Sequence, residues 1–221
     1  MKLLLAGVTG LVGSRLLPLL LQAGHDLTSL GRRASGVADP ALHELTVDFA
    51  QLPALPAADA AICALGTTMA VAGSEDAFRA VDQRAVLSFA RAAHAAGCRQ
   101  FLTVSAVGAD AASRVFYSRV KGEVEQELAA IGFHRIDIVR PGLIIGPRAE
   151  RRPFEALAQK VAPLFDPLLM GGLSRYRSIR ADTVAAALAG LVGQGDPGVH
   201  VHEYEALVRQ ARGQSVPNRG G

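Results

Sequence analysis

Lys2-Leu3-Leu4-Leu5-Ala6-Gly7-Val8-Thr9-Gly10-Leu11-Val12-Gly13 stands at the start of a 221-residue chain. A short apolar run ending in glycine reads as a buried strand. Residues 14–23 carry apolar residues all along the stretch and read as a helix stopped by Gly24. Between them, Gly7 lets the chain turn tightly, Gly10 lets the backbone approach a pyrophosphate, and Gly13 lets the helix pack close to the strand. Thr9, Leu11 and Val12 complete the loop. The helix start offers free N–H groups and a partial positive charge to phosphates. A glycine pattern is weak evidence alone; the strand before it and the helix after it supply the confirming context.

Working outward, strands are expected at 26–30, 45–49, 60–65, 100–105 and 135–139, and helices at 74–96 and 117–130. The strands show little polar alternation, as when both sheet faces are covered. This order predicts an α/β fold, a doubly wound Rossmann-like parallel sheet with helices on both faces and right-handed crossovers. Beyond Pro141 the pattern loosens into helices at 151–160, 182–192 and 203–211 and a short strand at 199–202. The expected organisation is one NAD(P)-binding domain over 1–212 with a small C-terminal substrate lid, then a flexible tail over 213–221.

Half the residues are hydrophobic and the net charge is +3, from 23 basic and 20 acidic residues. That excludes disorder, which needs low hydrophobicity and high net charge. No apolar run reaches the roughly 18 residues of a membrane span, and glycines interrupt the N-terminal run before a secretory signal could form. A cytoplasmic protein without membrane contact is expected. Nucleic-acid binding is not, because an excess of three charges is small and such binders usually concentrate basic residues on one face. Arg32-Arg33, residues 148–152 and residues 175–180 instead suit small anionic ligands. Cys63 and Cys98 lack metal-type spacing and read as buried thiols. His200 and His202 would share one side of a strand, without further ligands to make a metal site. Asp182 is expected to cap or open its helix.

The residue that selects the dinucleotide should lie about 20 positions beyond the glycines. Leu30-Gly31-Arg32-Arg33 stands there, with no carboxylate. Arginine favours a 2′-phosphate, so NADP(H) is expected over NAD(H). Asp48-Phe49 would flank the adenine. Tyr117 and Lys121 fall at i and i+4, on one helix face. A free phenol has a pKa near 10, and a lysine charge beside it favours the phenolate. Three tyrosines and three lysines make a chance YxxxK pair a ~0.04 event per chain. Ser105 ends a strand 12 residues earlier, at the edge where such sheets bind ligands. Its hydroxyl could hold a substrate oxygen while Tyr117 transfers the proton.

These residues resemble the atypical branch of the short-chain dehydrogenase/reductases. The likeness runs from Lys2 to about Ala189 and takes in the glycine loop, Leu65-Gly66-Thr67-Thr68, Ser105, Tyr117/Lys121 and Arg140-Pro141-Gly142. Cys63-Ala64-Leu65-Gly66-Thr67-Thr68 and Val120-Lys121-Gly122-Glu123-Val124-Glu125 resemble the subgroup of Tat-interacting oxidoreductase-like proteins. The resemblance implies that Lys121 holds the nicotinamide ribose and that Pro141, Gly142, Leu143 and Ile144 lie along the nicotinamide, with Leu65, Gly66 and Thr67 also at the cofactor. It implies catalysis by Ser105, Tyr117 and Lys121, hydride transfer to or from a small carbonyl or alcohol, no metal, and a monomer or homodimer. Where extended members carry an Asn, Val81 is followed by Asp82, which puts the water relay to Lys121 in question. Only 80 residues follow Pro141, few for a sugar-nucleotide epimerase. The alternative expectation is an NADP(H)-binding redox sensor with little turnover. Arg148, Arg151 and Arg152, and Arg175, Tyr176 and Arg177, would bind an anionic substrate group or lie solvated in loops.

Overall fold

Leu3 and Leu5 face one side of a sheet and Leu4 and Ala6 the other, each side packed into its own apolar cluster. This two-sided burial is why the strands read as unbroken apolar runs. The computed structural model describes residues 1–147, 169 and 171–214. Its strands are β1 (Lys2–Ala6), β2 (Asp26–Gly31), β3 (Leu42–Thr46), β4 (Ala60–Cys63), β5 (Gln100–Val104), β6 (Arg135–Val139), β7 (Ile144–Ile145), β8 (Ile179–Arg180) and β9 (Gly198–His202). Seven of them form one sheet in the order β3-β2-β1-β4-β5-β6-β9, every pair parallel. The order reverses between β1 and β4, and a doubly wound sheet opens a ligand crevice at that point.

Helix α1 (Gly13–Gln22) packs on the face of Leu3, Leu5 and Val139. Helix α2 is a single turn, Met69–Ala72, and α3 runs Glu75–Arg79; α4 (Val86–Ala95) and α5 (Phe116–Ala129) cover the other face around Phe78, Phe89 and Phe101. Helix α6 (Ala181–Leu191) joins α1 over the first face, and α7 (Tyr204–Gln214) packs against α6. No helix among the described residues is long and apolar enough to cross a membrane.

Three expectations are corrected, and one element is added. The third strand spans Leu42–Thr46 and not 45–49. As an edge strand it is only half covered, while Val47 and Phe49 leave it to reach the core. The helix expected over 74–96 is composite. Ser74 Oγ accepts from the Ala77 amide at 3.1 Å, α3 follows, and Ala80–Ala85 is π-helical before α4. The turn α2 was not anticipated, and the last helix extends to Gln214. Strand β9 does form, pairing parallel to β6 as a seventh strand. Asp182 opens α6 from its first turn and bonds Arg15 Nε at 2.9 Å. The expected helix at 151–160, Arg148, Arg151, Arg152 and the tail from 215 lie outside the described residues, as does most of the expected lid. The described part of that region is the small β7–β8 sheet and a 3₁₀ turn, Gly171–Tyr176.

Candidate functional site

The residues singled out in the sequence follow the carboxyl ends of successive parallel strands: Gly7 after β1, Arg32 and Arg33 after β2, Asp48 after β3, Leu65, Gly66 and Thr67 after β4, Ser105 after β5, and Pro141 after β6. Parallel pairing puts all those ends on one edge. A hollow of about 450 Å³ lined by Asp59, Arg99, Gln100 and Arg135 lies at the opposite, amino edge. Ligands of doubly wound sheets bind at the carboxyl edge, and the residues with chemistry gather there.

Gly7 has φ +92°, and a Cβ on it would come within 2.5 Å of the Ala64 carbonyl carbon. The chain leaving β1 therefore runs against the chain leaving β4. A Cβ at Gly13 would overlap the Gly7 carbonyl oxygen, so α1 can start only on a glycine. The Gly10 amide donates to the Gly7 carbonyl at 3.0 Å and closes the loop. Val12 caps α1 with no side-chain hydrogen bond. The Ser14, Arg15 and Leu16 amides are taken by the Gly10 and Val12 carbonyls, so the amides left for an anion are those of Leu11, Val12 and Gly13, where the loop enters the helix. A backbone cradle where Cβ atoms would intrude, beside an uncapped helix start, fits a dinucleotide pyrophosphate.

Lys121 lies on α5, one turn after Tyr117, with its ammonium buried and 2.7 Å from Asp82 Oδ1. The other Asp82 oxygen accepts from the Thr67 amide at 2.7 Å. Gly7, Ala64, Thr67, Asp82 and Lys121 thus form a continuous line from the glycine loop to the ammonium. Burial pulls the Lys121 ammonium down, but the charge of Asp82, then Tyr117, outweighs it and leaves Lys121 above the usual lysine value. The Tyr117 ring packs against Phe78, centroids 5.5 Å apart, leaving it half-buried. The Cys63 thiol behind this group is pushed up to about 12, chiefly by burial, so it is a neutral thiol.

Ser105 departs from expectation. Its hydroxyl donates to Glu125 Oε1 at 2.5 Å, and Arg140 Nε holds the same oxygen at 3.0 Å. Arg140 Nη2 takes the second Glu125 oxygen, forming a fork. A hydroxyl must donate to hold a carbonyl oxygen, and this donor is already engaged. Sequence reading missed this arrangement because Glu125 lies 20 residues beyond Ser105 and Arg140 another 15 beyond Glu125, with no local pattern to link them.

Arg32 and Arg33 are exposed beyond β2, free of ion pairs among the described residues. Asp48 is exposed and holds the Ala50 amide at 2.9 Å. Phe49 is spent on the core, edge-on to Phe89 at 6.5 Å, which removes its ring from the expected adenine contact. Pro141 is buried, its carbonyl accepting from Val107; Gly142 lies against the Arg177 carbonyl, Leu143 is exposed, and Ile144 pairs with Ile179. Gly146, just beyond, approaches Leu11 of the glycine loop. His202 is 2.9 Å from Asp137 Oδ1, and His200 lies near the Asp196 and Pro197 carbonyls. No cluster of three or more metal-ligating side chains occurs among the described residues.

Residues 7–147 match the family described as NAD(P)H-binding. The chain belongs to the NAD(P)H-binding family. Protein HTATIP2 of Rattus norvegicus is 35% identical over 96% of this chain and 89% of its own length. The mitochondrial protein fmp52 of Aspergillus niger is 34% identical over 95% of this chain and 98% of its own. Among solved structures, MoeE5 in complex with UDP-glucose and NAD superposes with a TM-score of 0.70, covering 97% of this chain and 82% of that one, at 15% identity. A UDP-galactose 4-epimerase superposes with a TM-score of 0.67 over 91% of this chain and 76% of that one, at 16% identity. The fold is therefore the one that MoeE5 and the UDP-galactose 4-epimerase share, and the resemblance to the Tat-interacting oxidoreductase-like subgroup holds.

Membership of the NAD(P)H-binding family makes the glycine cradle directly testable. Gly13→Ala is expected to cost about 1–3 kcal/mol of stability, the usual range for forced overpacking. It should also weaken dinucleotide binding, because the Gly7 carbonyl that anchors Gly10 must move. Urea unfolding and calorimetry with NADPH check the two effects.

Proposed function

We propose that this protein is an NADP(H)-dependent oxidoreductase acting on a small carbonyl or alcohol. The observation that carries the reading is Tyr117 one helical turn before a buried, charged Lys121, which Asp82 and Thr67 tie to the loop beside the glycine cradle. The glycine loop would hold the pyrophosphate, Arg32 and Arg33 the 2′-phosphate, Lys121 the ribose, and Pro141 to Ile144 the nicotinamide side. Bound there, the nicotinamide supplies or accepts the hydride. The chain's own work is to move the proton. Tyr117 gives its phenolic proton to the carbonyl oxygen during reduction, and the nearby ammonium stabilises the phenolate left behind. In the reverse direction the phenolate takes the alcohol proton. Screening aldehydes and ketones for NADPH oxidation tests the reading.

A second reading, an NADP(H)-binding redox sensor with little turnover, is favoured by one observation: the Ser105 hydroxyl is committed to Glu125. Without it, Tyr117 alone would have to orient a substrate oxygen. Preserved partner binding in Tyr117→Phe, with no turnover by the unmodified chain, would support the sensor.

Cofactor choice follows from β2 ending in Gly31 with two free arginines and no carboxylate after it. NADPH is expected to bind more tightly than NADH. Replacing Arg32 and Arg33 together by alanine should weaken NADPH binding roughly 10–100-fold, the scale of a lost charge-assisted contact. NADH binding should barely change, because NADH lacks the 2′-phosphate. Equal or tighter binding of NADH to the unmodified protein, measured by calorimetry, would refute the assignment.

A further inference from the structure

We propose that Asp82 is a positioning residue of this site: its carboxylate pairs directly with Lys121 and with the Thr67 amide, so that one buried group aims the ammonium, keeps it charged and fixes the loop after β4. The role in turnover rests on the oxidoreductase reading above; the pairing does not.

Three observations converge on Asp82. Its oxygens are each 2.7 Å from their partners, and its side chain is 1% exposed against 7% for Lys121. The residue sits inside the π-helical stretch Ala80–Ala85, flanked by ordinary α-helix on both sides. Single π turns within α-helices sacrifice regular hydrogen bonding and occur frequently at functional sites. Finally, the ammonium needs a counter-charge. Burial favours the neutral amine, and the titratable groups facing Lys121 are Asp82 from the π turn, Tyr117 from its own helix and Cys63 from β4. The Cys63 thiol is neutral, and a phenol carries charge only once ionised. Asp82 alone supplies a standing negative charge.

A carboxylate differs here from an amide in the same place. An amide could accept a hydrogen bond but could not offset the cost of burying the ammonium. The ion pair at 2.7 Å occupies at most one of the three ammonium donors, leaving at least two for ribose hydroxyls and for the side of Tyr117. Because the second carboxylate oxygen holds Thr67, a shift of the loop after β4 would be felt at Lys121 without any intervening water.

The chain has only three lysines, Lys2, Lys121 and Lys160, so lysine labelled at the ε-carbon gives a three-signal NMR titration, with Lys121→Met assigning the signal. In the unmodified protein Lys121 should lose its proton above the ordinary lysine value of 10.5. Asp82→Asn keeps the shape and an acceptor for Thr67; it should lower that midpoint by about two pH units, the scale of unopposed burial. Reduction of a panel of aldehydes and vicinal diketones by NADPH should fall about 10–100-fold, with the alkaline limb of its pH profile moved the same way. Asp82→Glu should restore part of both. An unchanged Lys121 midpoint in Asp82→Asn would overturn the proposal, as would a lowered midpoint with unchanged turnover. If the variant fails to fold, the unmodified chain still decides: a Lys121 midpoint at or below 10.5 overturns the pairing. A lowered midpoint in a protein that reduces none of the panel would sustain the pairing and sink the oxidoreductase reading.

Discussion

Tyr117→Phe is expected to reduce turnover of a carbonyl substrate by about 10²–10⁴-fold, the usual worth of general acid–base help, while leaving NADPH affinity nearly unchanged. The substituted ring keeps its packing on Phe78, and the half-buried position loses only the oxygen that would carry the proton. Lys121→Ala should damage turnover and cofactor binding together, since its ammonium would serve both the ribose and the phenol. Single-turnover NADPH oxidation and calorimetry separate the two patterns. Wild-type turnover in Tyr117→Phe would show that another group moves the proton.

Asp137→Ala is expected to cost about 3–5 kcal/mol of stability, as when one partner of a buried pair is removed. Asp137 is fully buried in mid-strand β6, and Arg135, two residues before it on the same face, is 3% exposed. Arg135 holds it through Nε at 2.8 Å and Nη2 at 2.7 Å, Gln100 donates at 2.7 Å, and His202 from β9 stands 2.9 Å away. The variant would leave the buried guanidinium with only the exposed Asp196 carboxylate, 4.0 Å away, as counter-charge. Burial by itself would raise the Asp137 carboxyl, but the bonds from His202, Arg135 and Gln100 outweigh it and hold the group below the usual aspartate value. A carboxyl depressed in the folded state contributes its full stability above the unfolded pKa, near 3.9. That contribution is lost as pH falls through the lower folded value. The unmodified protein should therefore lose stability below about pH 4 more steeply than the variant. Urea unfolding across pH 3–6 measures the difference; parallel curves would contradict it.

The local chemistry of this chain was enough to determine the fold class and the edge where the site lies. Strands with little polar alternation belong to a sheet covered on both faces, and Gly7 and Gly13 mark the tight turn and close helix approach, because a Cβ has no room at either. Tyr117 and Lys121 were legible for the same reason, since an i, i+4 spacing places two side chains on one face of any helix. Phe49 and Ser105 were not. Their identities suited a ligand, yet Phe49 is claimed by Phe89, 40 residues on, and Ser105 by Glu125, 20 residues on. Which neighbour a side chain meets across such distances depends on how helices lie over the sheet, and no local spacing encodes it. Asp82 combines both cases. The sequence showed a carboxylate where an amide was expected, but only the π turn in its helix and the packing of that helix on α5 brought the carboxylate to Lys121. Residue types and short spacings thus set the strands, the cradle and the Tyr–Lys pair. The tertiary structure decided which polar groups are already satisfied within the fold and which remain free for a ligand, because burial forces each polar group to take the nearest partner that packing supplies.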